Sequence, residues 1–331
     1  MPSRRIAVLG TGKVAAANYL PYLCQLPDVE LLLWNRTADQ AGRLGDRFDA
    51  AVATTIGEVI EWDPEIAFVL TSERARLPIA TQLVEAELPR VFMEKPLTAR
   101  AGQANVTEQD FRDARDLLRL ADERGCQTAI NFNYRFFSSV IQARQEIDGG
   151  RWGSLTGITA RAHYACWSHT LDLLRFFAGD VLRLSAVSGR EVREGRGMSA
   201  PDLAVAFETV SGAVGTVNGT AAGPWEGPLL DISLELESAR LRIWDLDGGL
   251  TVTPAGSDYV QTRGLGAGIS RWDRYAQSFR SALDAYLASV AAHEPPPVGA
   301  FEGLRELQLE AAIRRSANQG TVIGLDQEFP L

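Results

Sequence analysis

The stretch Ile6-Ala7-Val8-Leu9-Gly10-Thr11-Gly12-Lys13-Val14-Ala15 is an apolar strand that runs into the pattern GxGxxA and then into a helix. Gly10 permits the tight turn, Gly12 lets a pyrophosphate approach the backbone, and small Ala15 lets helix and strand pack closely. Thr11, Lys13 and Val14 complete the loop and the first helical turn, whose N–H groups and dipole favour anionic phosphates. All six residues are therefore candidates for binding a dinucleotide. The next apolar run ends Leu33-Trp34-Asn35-Arg36-Thr37, where an acidic residue would ordinarily meet the ribose diol of NAD. Asn35 carries no such charge, whereas Arg36 offers a guanidinium to a 2'-phosphate and a flat face to adenine. The pair predicts NADP(H) as the favoured cofactor, with NAD possible; the bland alternative is that Arg36 is a solvated loop residue.

Working outward, apolar runs at 6–9, 30–34, 66–70, 91–93 and 128–130 alternate with helix-like stretches, the pattern of βαβ units and a parallel sheet. The clearest helix begins at Thr107, faces Phe111, Ala114, Leu117, Leu118 and Ala121 inward, and stops at Gly125. After about residue 150 the texture changes. Strands are expected at 155–164, 182–187, 203–210, 214–220, 229–236 and 241–244, with turns at Ser211-Gly212 and Asp247-Gly248-Gly249. Helices near 276–291 and 304–316 are separated by His293-Glu294-Pro295-Pro296-Pro297, which cannot be helical. The predicted fold is α/β followed by α+β: a Rossmann domain over 1–130, then a domain over 131–331 with an open, mostly antiparallel sheet flanked by helices. A chain of 331 residues exceeds what one core usually supports, which fits two domains.

A composition of 46% hydrophobic and 23% charged residues places the chain in the ordinary globular class. No apolar stretch approaches the ~18 residues of a membrane span, and three widely spaced cysteines form no CxxC pair. A reducing, cytoplasmic location is expected. The net charge of -9, without a long basic run, argues against nucleic acid and anionic membrane as partners. The histidines show no metal-ligand spacing with cysteine or carboxylate, so no metal is expected, and the absence of a GxSxG elbow leaves a serine hydrolase unsupported.

Of 33 basic residues only Lys13 and Lys95 are lysine. Lys95 sits in Val91-Phe92-Met93-Glu94-Lys95-Pro96, at the carboxyl end of an expected core strand, where ligands of open α/β sheets bind. An exposed strand-end lysine is the plain reading; rarity and location favour a functional amine. A cis bond to Pro96 would aim the side chain sharply, and both isomers are open. A titrating imidazole must come from His163, His169 or His293.

Together these residues resemble the Gfo/Idh/MocA oxidoreductases, the glucose-fructose oxidoreductase and inositol dehydrogenase family, whose habitual Glu-Lys-Pro corresponds to Glu94-Lys95-Pro96. The likeness extends through Asn133-Tyr134-Arg135-Phe136, Ile147-Asp148-Gly149-Gly150-Arg151-Trp152-Gly153 and residues 307–316. It implies that Glu94, Lys95 and Thr71 meet the cofactor, and that His169, just ahead of Asp172-Leu173-Leu174-Arg175-Phe176, lies by the nicotinamide. On a helix Asp172 would share a face with His169 and orient its imidazole; the plainer expectation is an Asp172–Arg175 pair. Two departures stand out. The family aspartate ahead of this histidine is replaced by Ala165, so that His163 or Tyr164 takes its place or the chemistry runs on Lys95 and His169 alone. The family's Thr-Pro-x-x-x-His is replaced by Thr71-Ser72-Glu73-Arg74-Ala75-Arg76. Tyr134, Arg135, His163 and Tyr164 are the candidates for touching substrate.

The resemblance implies reversible hydride transfer at a secondary alcohol or ketone carbon of a sugar, cyclitol or related polyol, with Lys95, His169 and Asp172 as the catalytic set. The alternatives are reduction of an imine, enone or keto-sugar, which the loss of the aspartate favours, and a catalytically silent cofactor-binding regulator. One face of the second domain's sheet needs covering, so a homodimer or homotetramer is expected.

Overall fold

The computed structural model describes residues 4–223, 228–246, 248–264 and 269–331; Asp247 of the expected Asp247-Gly248-Gly249 turn lies outside the described residues. The chain forms two compact units. One comprises Met1–Arg100, Gln109–Phe132 and Phe279–Arg305, the other Ala101–Glu108, Asn133–Ser278 and Glu306–Leu331. Among the described residues no helix is long and apolar enough to cross a membrane.

In the first unit six strands, β1 (Arg4–Leu9), β2 (Val29–Trp34), β3 (Ala51–Ala53), β4 (Ile66–Val69), β5 (Arg90–Met93) and β6 (Gln127–Ile130), lie in the order β3-β2-β1-β4-β5-β6. All their pairings are parallel. Strand β4 is buried along its whole length, which is why it reads as an unbroken apolar run rather than an alternating one. The chain leaves β1 to pair β2 on one side and β4 on the other, so the crevice beyond the carboxyl ends of β1 and β4 is the topological switch point where such sheets bind ligands. Edge strand β3 was not expected: three residues, two of them exposed, present no apolar run to read.

The helix after β1 is irregular. It widens to a π-turn over Ala15–Tyr19 before continuing as an α-helix over Leu20–Leu23. Pro21 has no N–H to give and its ring crowds the carbonyl of the preceding turn; the wide turn takes up that misfit. It leaves Tyr19 fully buried in an aromatic cluster, with ring centroids 5.9 Å from Phe68 and 5.5 Å from Phe279.

The second unit carries a nine-stranded sheet. Its strands are β7 (Leu155–His163), β8 (Val181–Gly195), β9 (Met198–Thr209), β10 (Val214–Thr220), β11 (Leu230–Leu236), β12 (Ala239–Trp244), β13 (Leu250–Pro254), β14 (Gln261–Arg263) and β15 (Ile323–Gly324). The order is β14-β13-β12-β11-β7-β10-β9-β8-β15. β7 and β10 run parallel, while their other neighbours are antiparallel. Alternation is strict in β12, where Ala239, Leu241 and Ile243 face the core and Arg240, Arg242 and Trp244 face outward. The outward face pairs its charges across strands, Arg242 with Asp231 at 2.9 Å and Arg183 with Glu208 at 2.7 Å. Helix Trp167–Ala178 follows β7 and buries His169 and Asp172.

Candidate active site

In the first unit the glycine loop is built as the sequence requires. Gly10 has φ +104°, and a Cβ there would stand 2.5 Å from the amide nitrogen of Thr71, so the loop after β1 packs directly on the end of β4. Nothing lies within 4 Å of where a Cβ of Gly12 would be, which leaves open space over that peptide. Asn35 accepts a hydrogen bond from the Thr11 amide at 3.3 Å and donates to the Thr37 carbonyl, while Gln40 donates to the Thr11 carbonyl at 2.6 Å. Asn35 thus shapes the loop, and Arg36 beside it is exposed. The Oγ1 atoms of Thr11 and Thr71 are buried and find no hydrogen-bond partner among the described residues. Two orphan hydroxyls, an open glycine peptide and a helix N-terminus fit a polar, anionic group such as a dinucleotide. Ala15 is buried against the sheet, whereas Lys13 and Val14 are exposed at the helix start.

The Glu94-Lys95-Pro96 turn leaves β5 with a cis Lys95–Pro96 bond, which the sequence left open. Lys95 is half-buried. The Glu94 carboxylate faces inward: Tyr19 Oη donates to its Oε1 at 2.5 Å, Asn131 Nδ2 donates to the same atom at 2.9 Å, and the Lys95 amide donates to Oε2 at 3.1 Å. Its carboxylate is therefore committed to holding the turn, a different task from the cofactor contact expected of it. Arg76, which replaces the family histidine, is 3% exposed and donates to the carbonyl oxygens of Pro96 and, at 2.6 Å, Thr71. Burial pushes its guanidinium pKa down, and the nearby Glu94 charge pulls it back up. Sequence reading missed Tyr19 and Asn131 altogether, and nothing in the local sequence marks them.

In the second unit His169 is buried, and Tyr134 stacks on its ring with centroids 3.8 Å apart and planes 6° apart. The Tyr134 hydroxyl meets Cys166 Sγ at 3.1 Å, and burial raises its pKa well above the usual range. Tyr134 packs against the histidine. Asp172, expected to orient that imidazole or to pair with Arg175, has both oxygens taken by Arg135: Nε to Oδ2 at 2.9 Å and Nη2 to Oδ1 at 2.5 Å. Arg175 pairs with Asp180 at 2.8 Å. Arg135 also lies over the Phe176 ring, 5.0 Å from its centroid, so this candidate for substrate contact is spent on a buried pair.

His163 and Tyr164, the candidates for the place of the missing aspartate, both bond to backbone groups. The Ala165 amide donates to His163 Nδ1 at 3.0 Å, which leaves Nε2 as the protonated nitrogen and donor to the Ala221 carbonyl at 2.8 Å. Both ring nitrogens are occupied, and burial lowers the imidazole pKa. Tyr164 Oη donates to the Pro201 carbonyl at 2.6 Å, with its pKa raised by burial.

A parallel sheet in this order, with a glycine loop at its switch point and an amine at the end of a neighbouring strand, defines a Rossmann-type dinucleotide-binding protein. Comparison narrows the class. A model of the oxidoreductase family with an NAD-binding Rossmann fold, GFO_IDH_MocA, matches residues 4–132. A myo-inositol dehydrogenase from Streptomyces leeuwenhoekii is 26% identical over 96% of this chain and 98% of its own length. A D-glucoside 3-dehydrogenase from Escherichia coli is 27% identical over 49% of this chain and 44% of its own. Among solved structures, an oxidoreductase from Agrobacterium radiobacter in complex with NAD+, L-tartaric acid and magnesium superposes with a TM-score of 0.82 at 15% identity, covering 98% of this chain and 99% of that one. The WlbA dehydrogenase of Bordetella pertussis, in complex with NADH and UDP-GlcNAcA, superposes with a TM-score of 0.79 at 18% identity, covering 98% of each chain. Residues 4–132 thus match the Gfo/Idh/MocA oxidoreductases, and the expected α/β and α+β architecture is the one observed.

Proposed function

We propose that this protein transfers hydride reversibly between NADP(H) and a secondary alcohol or ketone carbon of a sugar, cyclitol or related polyol. One observation carries the reading. The glycine loop abuts Thr71, and Arg76 ties Thr71 to the turn that holds Lys95, so the dinucleotide loop and the lone sheet-end amine form one rigid construction at the carboxyl edge of the sheet. The relatives named above, dehydrogenases of myo-inositol and of a D-glucoside, support the substrate class. Gly10, Thr11, Gly12, Lys13, Val14, Ala15, Asn35, Arg36 and Thr71 would hold the cofactor, which supplies or accepts the hydride when bound. Exposed, uncharged-flanked Arg36 supports a 2'-phosphate and so NADP(H). Lys95 then takes the hydroxyl proton on oxidation or, as ammonium, polarises the carbonyl oxygen on reduction. The family resemblance adds His169 as a second candidate for the proton transfer.

Absorbance of the reduced cofactor, followed in both directions over a panel of polyols and keto-sugars, tests the reaction. Lys95→Ala is expected to lose roughly 10²-fold in turnover with cofactor affinity little changed; near-normal turnover rejects the assignment. In fluorescence titrations at physiological salt NADPH is expected to bind more tightly than NADH, and equal affinities reject the cofactor preference. A reductive physiological direction is favoured by Ala165 standing where the family carries a carboxylate, because reduction asks for a proton donor such as the Lys95 ammonium and not for a strong base. We further propose that the outward face of the nine-stranded sheet meets a second copy of the chain, because it exposes Val187, Val214 and Trp244 while its Arg–Asp and Arg–Glu charges are already paired within the chain.

A further inference from the structure

We propose that Arg76 and Glu94 form a clamp of opposite charges on the peptide that carries Lys95, and that Arg76 is the positioning residue of the pair; the role of the amine rests on the hydride-transfer reading above. The clamp grips the turn from two sides. Ahead of the proline, Glu94 Oε2 accepts the Lys95 amide at 3.1 Å, and its other oxygen is fixed by Tyr19 and Asn131. Beyond it, Arg76 holds the Pro96 carbonyl with one nitrogen and the Thr71 carbonyl with another. The backbone on both sides of the lysine is thereby pinned, and so is the end of β4 on which Gly10 packs.

The guanidinium is an expensive way to make these bonds. It is 3% exposed, and its Nε finds no acceptor among the described residues. A buried cation with an unsatisfied donor is costly unless an anion lies near, and Glu94 supplies that charge first, with Glu73 after it. What the arginine provides, and a lysine does not, is a rigid fork that reaches two carbonyls from different strand ends at once. The expense is explained if the reward is the fixed placement of the residue between them. Positioning to within an ångström is worth about 10²-fold in rate when the positioned group takes part in the reaction.

The scarcity of lysine makes the clamp directly visible. Reductive methylation with an isotope-labelled methyl donor yields side-chain resonances from Lys95 and Lys13, with Lys13 as the internal reference. In the wild-type protein the Lys95 signal is expected to be single and shifted from that of a solvated lysine. In Arg76→Met, and in the double variant Arg76→Met/Glu94→Gln, it should collapse toward the position of a solvated lysine while Lys13 stays still. The double variant removes both charges at similar volume and carries the test where the single one fails to fold. Turnover in either should fall about 10- to 100-fold at saturating substrate while cofactor Kd changes by less than about threefold. Arg76→Lys, which keeps the charge and loses the fork, should recover part of that turnover. An unmoved Lys95 resonance with unchanged turnover overturns the clamp, as does a loss of cofactor affinity that matches the loss in rate. A wild-type protein that turns over no substrate sinks the hydride-transfer reading and leaves the resonance test standing; an active wild type with an unmoved resonance sinks the clamp alone.

Discussion

The two places where the family resemblance puts chemistry are built on opposite plans. At the carboxyl edge of the parallel sheet the residues around Lys95 spend their hydrogen bonds on its backbone: Glu94 takes its amide and Arg76 the next carbonyl. Around His169 another kind of contact stands out: Arg135 bonds Asp172, Tyr134 meets Cys166, and the Tyr134 ring stacks flat on the imidazole. A polar residue near a reacting group is therefore no guide to its role until its partners are known. The partners decide whether it is available.

The largest effect that would break this comparison is expected at Asp172. If its task is to neutralise Arg135, then Asp172→Asn leaves a guanidinium that is 12% exposed without its anion, and stability should drop on the order of 3–5 kcal/mol. Removing the cation as well, in Arg135→Met/Asp172→Asn, should restore most of that stability, read from denaturant midpoints. Turnover separates the two plans. Recovery of activity along with stability makes Asp172 a structural anion, as its fork-to-fork bonding with Arg135 implies. A double variant that is stable yet slow would show that Asp172 also acts through His169, and the contrast between the two regions would fail.

How much of this was legible in the sequence follows from the range of the interactions. The alternation of strands and helices in the first unit could be read because β1, β2, β4 and β5 are largely buried apolar runs and β6 ends in one, each separated from the next by helical stretches. Strands β3, β14 and β15 could not, since each is an edge of two or three residues with little to bury. β8 runs to Gly195, well past the apolar stretch at 182–187, because after a register shift between Ser188 and Val192 the exposed residues Val192, Arg193 and Glu194 continue it through cross-strand pairing with β9. At the site, residue types were legible and partnerships were not. Gly10, Lys95 and His169 are marked by local pattern or rarity, whereas the bond of Arg76 to Pro96 spans 20 positions and that of Asn131 to Tyr19 spans 112. No local spacing encodes such contacts.

The smallest expected effect sharpens the comparison at its other end, in His163. Its Nδ1 accepts the Ala165 amide and its Nε2 donates to the Ala221 carbonyl, an arrangement that needs the neutral ring. Protonation would set an N–H against the Ala165 N–H, and burial already disfavours the charge, so the folded pKa lies below the ordinary 6.5. A depressed histidine pKa means that the unfolded chain binds the proton more readily than the folded one. The stabilisation is then complete above about pH 6.5 and is lost as pH falls through the folded value. Thermal midpoints of the wild type and of His163→Asn should therefore differ most at pH 7.5 and converge as the pH is lowered toward 5, with the pH profile of turnover unchanged between the two. A gap that persists at low pH would mean that His163 contributes by packing alone, and a displaced activity profile would return it to the reaction as the stand-in for the lost aspartate.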